Sequence, residues 1–212
     1  MRIKWFGHSC FMITNEAGVR ILTDPCDPDT GYRLKDIETD ILTVSHSHHD
    51  HCYTDAVKGT PVTLTDAGEY EVCGIKIRGI SSYHDDCFGR KRGTNTIFCF
   101  ETDGIKVVHM GDIGYFDDTL TEKIGETDVL LVPIGGIYTI DASQARELAN
   151  RLNCKVLIPM HYKTPALNFE LDDIDEFISS VADCSIHRLG KTEAVLNKEY
   201  MDEKRVLILS YK

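Results

Sequence analysis

The sequence predicts a mixed α/β fold in which short strands outnumber helices, and three observations carry that reading. Short apolar runs recur along the whole chain, separated by turns rich in Gly, Pro, Asn and Asp. Only two longer segments place apolar residues at helical spacing. Histidines and an aspartate stand directly after several of the strand-like runs, and polar groups at the ends of buried strands converge on one rim of a sheet. A length of 212 residues, with 42% hydrophobic and 27% charged residues, fits one domain over residues 1–212 with a substantial core.

Residues 2–6 and 10–14 read as strands around a Gly-His-Ser turn, and a second turn at 15–18 leads into a strand at 19–23. The polar stretch 25–40, punctuated by Asp-Pro and Thr-Gly, is a loop bordering the site. Apolar residues 41–44 then deliver Ser45, His46, Ser47, His48, His49, Asp50 and His51. A short helix is expected near 53–58, followed by strands at 61–64 and along the alternating Val72, Ile75, Ile77 and Ile80, which end at His84. After His84 comes the most basic run of the chain, Arg90, Lys91 and Arg92, read either as a solvated loop or as an anion clamp at the mouth of a site.

Residues 96–101 and 105–110 form a hairpin around Asp103 and Gly104, ending in His109, Met110, Gly111 and Asp112. A buried strand at 128–134 leads into Gly135, Gly136, Ile137 and Tyr138. Asp141 caps a helix, with Gln144 in the capping-box position and Ala145, Leu148, Ala149 and Leu152 on its apolar stripe. Strand 156–160 runs into His161, a second helix carries Leu171, Ile174, Phe177, Ile178 and Val181, and strands near 184–188 and 205–210 close the chain. His187 has no partner in this pattern and is read as structural.

Alternate residues of an extended chain point the same way, so His46 and His48 can reach one metal together. Asp50 and His51 follow at a different spacing and can serve a second metal beside it. Imidazole and carboxylate donors of this kind suit zinc, manganese or iron(II). The plain alternative is a solvated polar loop with accidental histidines.

The His-x-His-x-Asp-His spacing of residues 46–51, with His84, Asp112 and His161 in order downstream, resembles the signature of the metallo-β-lactamase superfamily. The resemblance implies a four-layer αββα sandwich with metals at the edge of two packed sheets. It implies that His46, His48 and His84 bind one ion, Asp50, His51 and His161 a second, and that Asp112 bridges them. Gly-His-Ser at 7–9, Thr-Asp-Pro at 23–25, Arg-Gly-x-Asn at 92–95 and Pro-Ile-Gly-Gly-x-Tyr-Thr at 133–139 further resemble a subgroup that includes the ascorbate-phosphate lactonases and many uncharacterised metal-dependent hydrolases.

The function so implied is hydrolysis of a small anionic ester, lactone or phosphorylated substrate by two divalent transition-metal ions, zinc first and manganese or iron as alternatives. Asp50 and Asp112 are the expected catalytic carboxylates, and His8, Asp24, His109, Tyr138 and Lys163 are expected to orient ligands or meet substrate. The competing readings are a phosphodiesterase or nuclease like the tRNA 3′-processing branch and a metal-binding module without turnover.

A formal charge of −11 repels polyanions and weighs against nucleic-acid and anionic-membrane partners, while self-association into a homo-oligomer is compatible with the pattern. No stretch approaches the roughly 20 apolar residues of a membrane span, and the N-terminus lacks the charged-apolar-small pattern of a signal peptide. Eight cysteines without a Cys-x-x-Cys pair read as reduced thiols of a cytoplasmic protein, with Cys52 as a packed residue beside the motif.

Overall fold

Alternation of side chains along each strand sorts this chain into two sheets that share one interior. The computed structural model describes residues 1–211. The N-terminal part contributes β1 (Arg2–Gly7), β2 (Cys10–Thr14), β3 (Arg20–Thr23), β4 (Ile37–Glu38), β5 (Ile41–Thr43), β6 (Val57–Lys58) and β7 (Val62–Leu64). There follow β8 (Gly68–Val72), β9 (Ile75–Tyr83), β10 (Thr94–Thr102), β11 (Ile105–His109), α1 (Asp118–Ile124), β12 (Val129–Pro133) and α2 (Ala142–Arg151). The chain ends with β13 (Val156–Met160), α3 (Ile174–Ser180), β14 (Ser185–Arg188), β15 (Glu193–Val195) and β16 (Arg205–Ile208).

The first sheet has the order β15-β1-β2-β3-β5-β7, the second β14-β16-β13-β12-β11-β10-β9-β8, and β4 pairs with β6 in a separate ribbon. In the first sheet β3, β5 and β7 run parallel. In the second, β11, β12, β13, β16 and β14 run parallel while β8 to β11 form an antiparallel meander. Ile3, Trp5, Phe11, Ile13, Ile21 and Ile41 of the first sheet share a core with Phe98, Phe100, Val107 and Leu131 of the second. The intervening residues Cys10, Met12, Leu22 and Leu42 face the other way, into a smaller cluster with Tyr32, Leu34, Ile37, Leu167 and Leu171.

The expected sandwich of two sheets is therefore present, with one outer layer built differently from the expectation. α2 carries the anticipated capping box, in which Asp141 Oδ1 accepts from the Gln144 amide at 2.8 Å and Gln144 Oε1 accepts from the Asp141 amide at 3.0 Å. It buries Ala142, Ala145, Leu148 and Ala149. The cover of the first sheet's outer face is largely irregular chain, with the 3-10 turns Pro28–Thr30 and Thr54–Ala56 and the β4–β6 ribbon. The helix expected near 53–58 is one of these turns, too short to offset the cost of helix nucleation, and the β-branched Val57 pairs with Ile37 instead. α1 was not anticipated because only Thr121 and Ile124 are buried, so no apolar stripe marks it; its N-cap Asp117 accepts from the Leu120 amide at 2.8 Å. α3 starts after its cap Asp173, and Leu171, expected on that helix, packs under the first sheet. No helix among the described residues is long and apolar enough to cross a membrane.

Leu148 is fully buried on α2, away from the metal-site candidates. Leu148→Ala should lower unfolding free energy by about 2–5 kcal/mol, read by denaturant titration, with metal per folded chain unaltered. A loss of metal stoichiometry would instead tie this helix to the site.

Candidate metal centre

Parallel strands place their C-terminal ends on a common edge, and this edge gathers the histidines. Asp24 follows β3, residues 45–51 follow β5, His84 follows β9, Asp112 lies just beyond β11 and His161 follows β13. Of nine histidines, all but His187 lie at this edge or directly beneath it. The motif loop is held from the second sheet, where the Thr96 amide donates to the Ser45 carbonyl at 2.8 Å.

Asp112 Oδ2 is the focus. It lies 3.1 Å from His51 Nε2, 3.1 Å from His161 Nε2, 3.2 Å from His84 Nε2 and 3.8 Å from His46 Nε2. Two ligands about 2.1 Å from one tetrahedral ion stand roughly 3.4 Å apart, so these are the separations of co-ligands. His46 Nε2 and His48 Nδ1 are likewise 3.1 Å apart. His51 Nε2 and Asp112 Oδ1 are buried without a hydrogen-bond partner among the described residues, which fits donors aimed at a cation. The donors fall into two groups, His46 with His48 and His84, and His8 with Asp50, His51 and His161; Asp112 stands against both. The donor set fits one or two divalent ions.

A layer of support fixes these rings. Asp24, fully buried, accepts from the Ser45 amide at 2.8 Å, from Ser45 Oγ at 2.5 Å and from His51 Nδ1 at 2.8 Å. With its hydroxyl hydrogen given to Asp24, Ser45 Oγ accepts from His46 Nδ1 at 2.9 Å. One carboxylate thus fixes the protonated Nδ1 of two histidines and turns both Nε2 atoms toward Asp112, where each would be the atom to bind a cation. His8 Nε2 meets Asp50 Oδ2 at 3.1 Å.

His109, expected to orient a ligand, meets backbone on both nitrogens: Nε2 donates to the Ser9 carbonyl at 2.9 Å and Nδ1 accepts from the Gly111 amide, next to Asp112, at 3.2 Å. Asn95, missed as a site residue although it lies in the Arg-Gly-x-Asn motif, accepts from the Asp112 amide through Oδ1 at 2.9 Å. Gly111, at φ 55, permits that approach, since a Cβ there would stand 2.2 Å from Asn95 Oδ1. His8, Asp24 and His161 adopt φ of 52, 38 and 51, three of the eight non-glycine residues with left-handed backbone among those described.

The centre opens into a cavity of about 500 Å³ lined by His48, Asp50, His84, Asp112 and His161 together with His49, Arg92, Tyr138 and Phe169. Tyr138 therefore lies where the sequence placed it; His49 and Phe169 carried no signal. Lys163 does not line this cavity. Its ammonium donates to the carbonyls of Leu167 and Phe169 at 3.2 and 2.7 Å and pairs with Glu170 at 3.0 Å. Left-handed backbone at His161 breaks the alternation that would have kept residues 161 and 163 on one side, so Lys163 fastens the loop bearing Phe169. Cys52 is half-buried, its thiol donating to the Ser47 carbonyl at 3.4 Å, and all eight cysteines are free.

A profile described as a beta-lactamase superfamily domain matches residues 2–161. The chain belongs to the metallo-β-lactamase superfamily. A metal-dependent hydrolase of Thermoplasma volcanium is 32% identical to this superfamily member over 193 residues, covering 77% of this chain and 84% of the relative. A Thermotoga maritima crystal structure, named for a Zn-dependent hydrolase of the metallo-β-lactamase superfamily, superposes with a TM-score of 0.82 at 42% identity, covering 98% and 97% of the two chains. An isothiocyanate hydrolase from Delia radicum gut bacteria shares the superfamily fold at 11% identity, with a TM-score of 0.68 over 98% of this chain and 95% of that one.

Burial opposes ionisation of Asp112, yet His161 and His51 outweigh it and hold the carboxyl well below the usual range. Burial likewise disfavours a charge on His51, but Asp112, Asp24 and Asp50 prevail and raise its pKa well above 6.5. Burial pushes His46 down to about 3 and His8 to about 4. In the metal-free protein the His51 contribution is complete below its ordinary 6.5 and fades as pH climbs through the raised folded value. His46 and His8 act oppositely, since protonating them favours the unfolded chain, so stability falls as pH drops from 6.5 toward 4 and 3. The metal-free Tm should peak near neutrality. A metal displaces the His51 proton, so the Tm gain on loading should widen as pH rises above about 6.5, checked by calorimetry across pH with and without zinc. Separately, Asp24→Asn should weaken metal affinity by about 10- to 100-fold, measured by competition with a chelating dye; unchanged affinity would reduce Asp24 to packing.

Proposed function

We propose that this metal-dependent hydrolase of the metallo-β-lactamase superfamily holds two divalent transition-metal ions and cleaves a small, anionic ester, lactone or phosphorylated substrate. One ion is assigned to His46, His48 and His84, the other to Asp50, His51 and His161, with Asp112 between them. The observation that carries the reading is the convergence of four imidazole Nε2 atoms within 3.8 Å of Asp112 Oδ2. An all-nitrogen-and-oxygen donor set suits zinc first, and manganese or iron(II) as well.

Bound ions of this kind lower the pKa of a water from about 15.7 toward about 7 and polarise the attacked carbonyl or phosphoryl oxygen. The remaining work falls to the chain. Asp50 is half-buried and lines the cavity, with Oδ2 held by His8 and Oδ1 without a hydrogen bond among the described residues. Burial opposes its charge, but His8 and His51 keep it ionised well below the usual carboxylate range. An ionised Asp50 can therefore orient the attacking water at Oδ1 and pass its proton to the leaving group. His8 sets the angle of that carboxylate. In this reading the scissile bond lies above Asp112 in the same cavity.

Elemental analysis of protein purified without added metal should find one to two transition-metal ions per chain, and His46→Ala/Asp112→Ala should carry almost none. A screen of lactones, carboxylic esters, phosphorylated small molecules and a structured RNA should show turnover of a small molecule, abolished by Asp112→Ala. Faster cleavage of RNA than of every small molecule, falling steeply with salt, would replace this reading with a nuclease. No turnover with zinc, manganese or iron would replace it with a metal-binding module.

A further inference from the structure

Arg92 is the one Lys or Arg among the described residues that line the cavity. Three contacts fix it. Its amide donates to Asp85 Oδ2 at 2.8 Å, its Nη2 donates to the Ile137 carbonyl at 3.2 Å, and its guanidinium carbon lies 5.4 Å from the Tyr138 ring centroid. The other two cations of this basic run are engaged locally, Arg90 Nε with the Cys87 carbonyl and Lys91 Nζ with Asp86. Phe169 meets Tyr138 edge to face on the same wall, with ring centroids 6.3 Å apart and planes inclined at 66°.

The loop behind Arg92 has the look of a phosphate cradle, but Asp85 already fills it. Both carboxylate oxygens of Asp85 are buried in backbone donors: Oδ1 accepts from the amides of Cys87 and Gly89 at 2.9 Å each, and Oδ2 from those of Lys91 and Arg92 at 2.8 Å each. Those amides cannot also serve a ligand. What remains to meet an anion in the cavity, apart from the metal-site candidates, is one guanidinium, and that matches one oxyanionic group better than a dianionic phosphate with its many acceptor atoms.

Resting on the hydrolase reading above, we propose that Arg92 is the specificity-determining residue of this site. The substrate it selects is a small ester or lactone bearing a single oxyanionic group on a flat apolar body, which lies against Tyr138 and Phe169. The carboxylate or monoanionic phosphodiester of such a molecule takes the guanidinium edge not used by Ile137. Its scissile bond then reaches Asp112 and Asp50 in the same cavity.

The test uses the metal-loaded protein and matched aryl esters and aryl lactones with and without a ring carboxylate, plus a phosphomonoester of the same ring. The carboxylate member should have a KM at least about 10-fold below its neutral twin, the factor expected of a charged hydrogen bond. It should also be preferred over the phosphomonoester. Arg92→Gln should erase the difference, Arg92→Lys should restore part of it, and metal content and Tm should stay at wild-type values in both. Binding of unreactive 2-naphthoate, followed by fluorescence, provides a readout independent of turnover. Its Kd should rise about 10-fold or more in Arg92→Gln. If no ester or lactone is hydrolysed while 2-naphthoate binding still depends on Arg92, the hydrolase reading fails and the anchor stands. If wild type shows no preference for the carboxylate member, or if Arg92→Gln keeps the preference or binds 2-naphthoate as wild type does, the anchor is overturned.

Discussion

Everything at the site depends on keeping the Asp112 carboxylate ionised in a place that water barely reaches. Burying such a charge alone costs several kcal/mol, and among the described residues no Lys or Arg pairs with it. The chain meets the cost with imidazoles: His51, His84 and His161 sit within 3.2 Å of one oxygen. The metal-free protein stores a proton on His51 to balance its three neighbouring carboxylates. A divalent cation does the same job with more charge and better geometry. Metal affinity and proton release are therefore two descriptions of one event.

That focus also explains the architecture around it. Two sheets are needed because the donors come from strands of both: residues 45–51 from the first, and His84, Asp112 and His161 from the second. The beneath-edge contacts tie the halves together. His109 of the second sheet holds the Ser9 carbonyl of the first, and the His161 amide at the end of β13 donates to the His8 carbonyl at 3.3 Å. Displacing either sheet would separate the donors, so the apolar packing of Trp5, Phe11, Phe98 and Phe100 is what sets the ligand spacing.

Much of this was legible in the sequence, for identifiable reasons. Strand period, the Asp103-Gly104 turn and the Asp141 capping box are local codes, and the local structure follows them. His46, His84, Asp112 and His161 were legible because each follows a strand, and strand ends share an edge. Asp85, Asn95 and Phe169 were not singled out as site residues, because their roles arise from backbone amides or from a loop that folds back across the cavity. Lys163 was misplaced for a related reason: its distance from His161 in the chain says little once the intervening backbone turns left-handed. α1 escaped notice because it buries too little to leave a stripe.

The Asp85 clasp has a wider consequence. It grips main-chain amides of residues 87, 89, 91 and 92. The contour of that loop is thus held largely through its main chain, while its root remains bonded directly to His84, one of the proposed metal ligands. On the Arg92 proposal, a change of side chain at position 92 alters substrate preference and leaves this clasp, made by the residue 92 amide, in place. On that reading, a fixed metal centre and an interchangeable recognition residue stand on either side of one carboxylate.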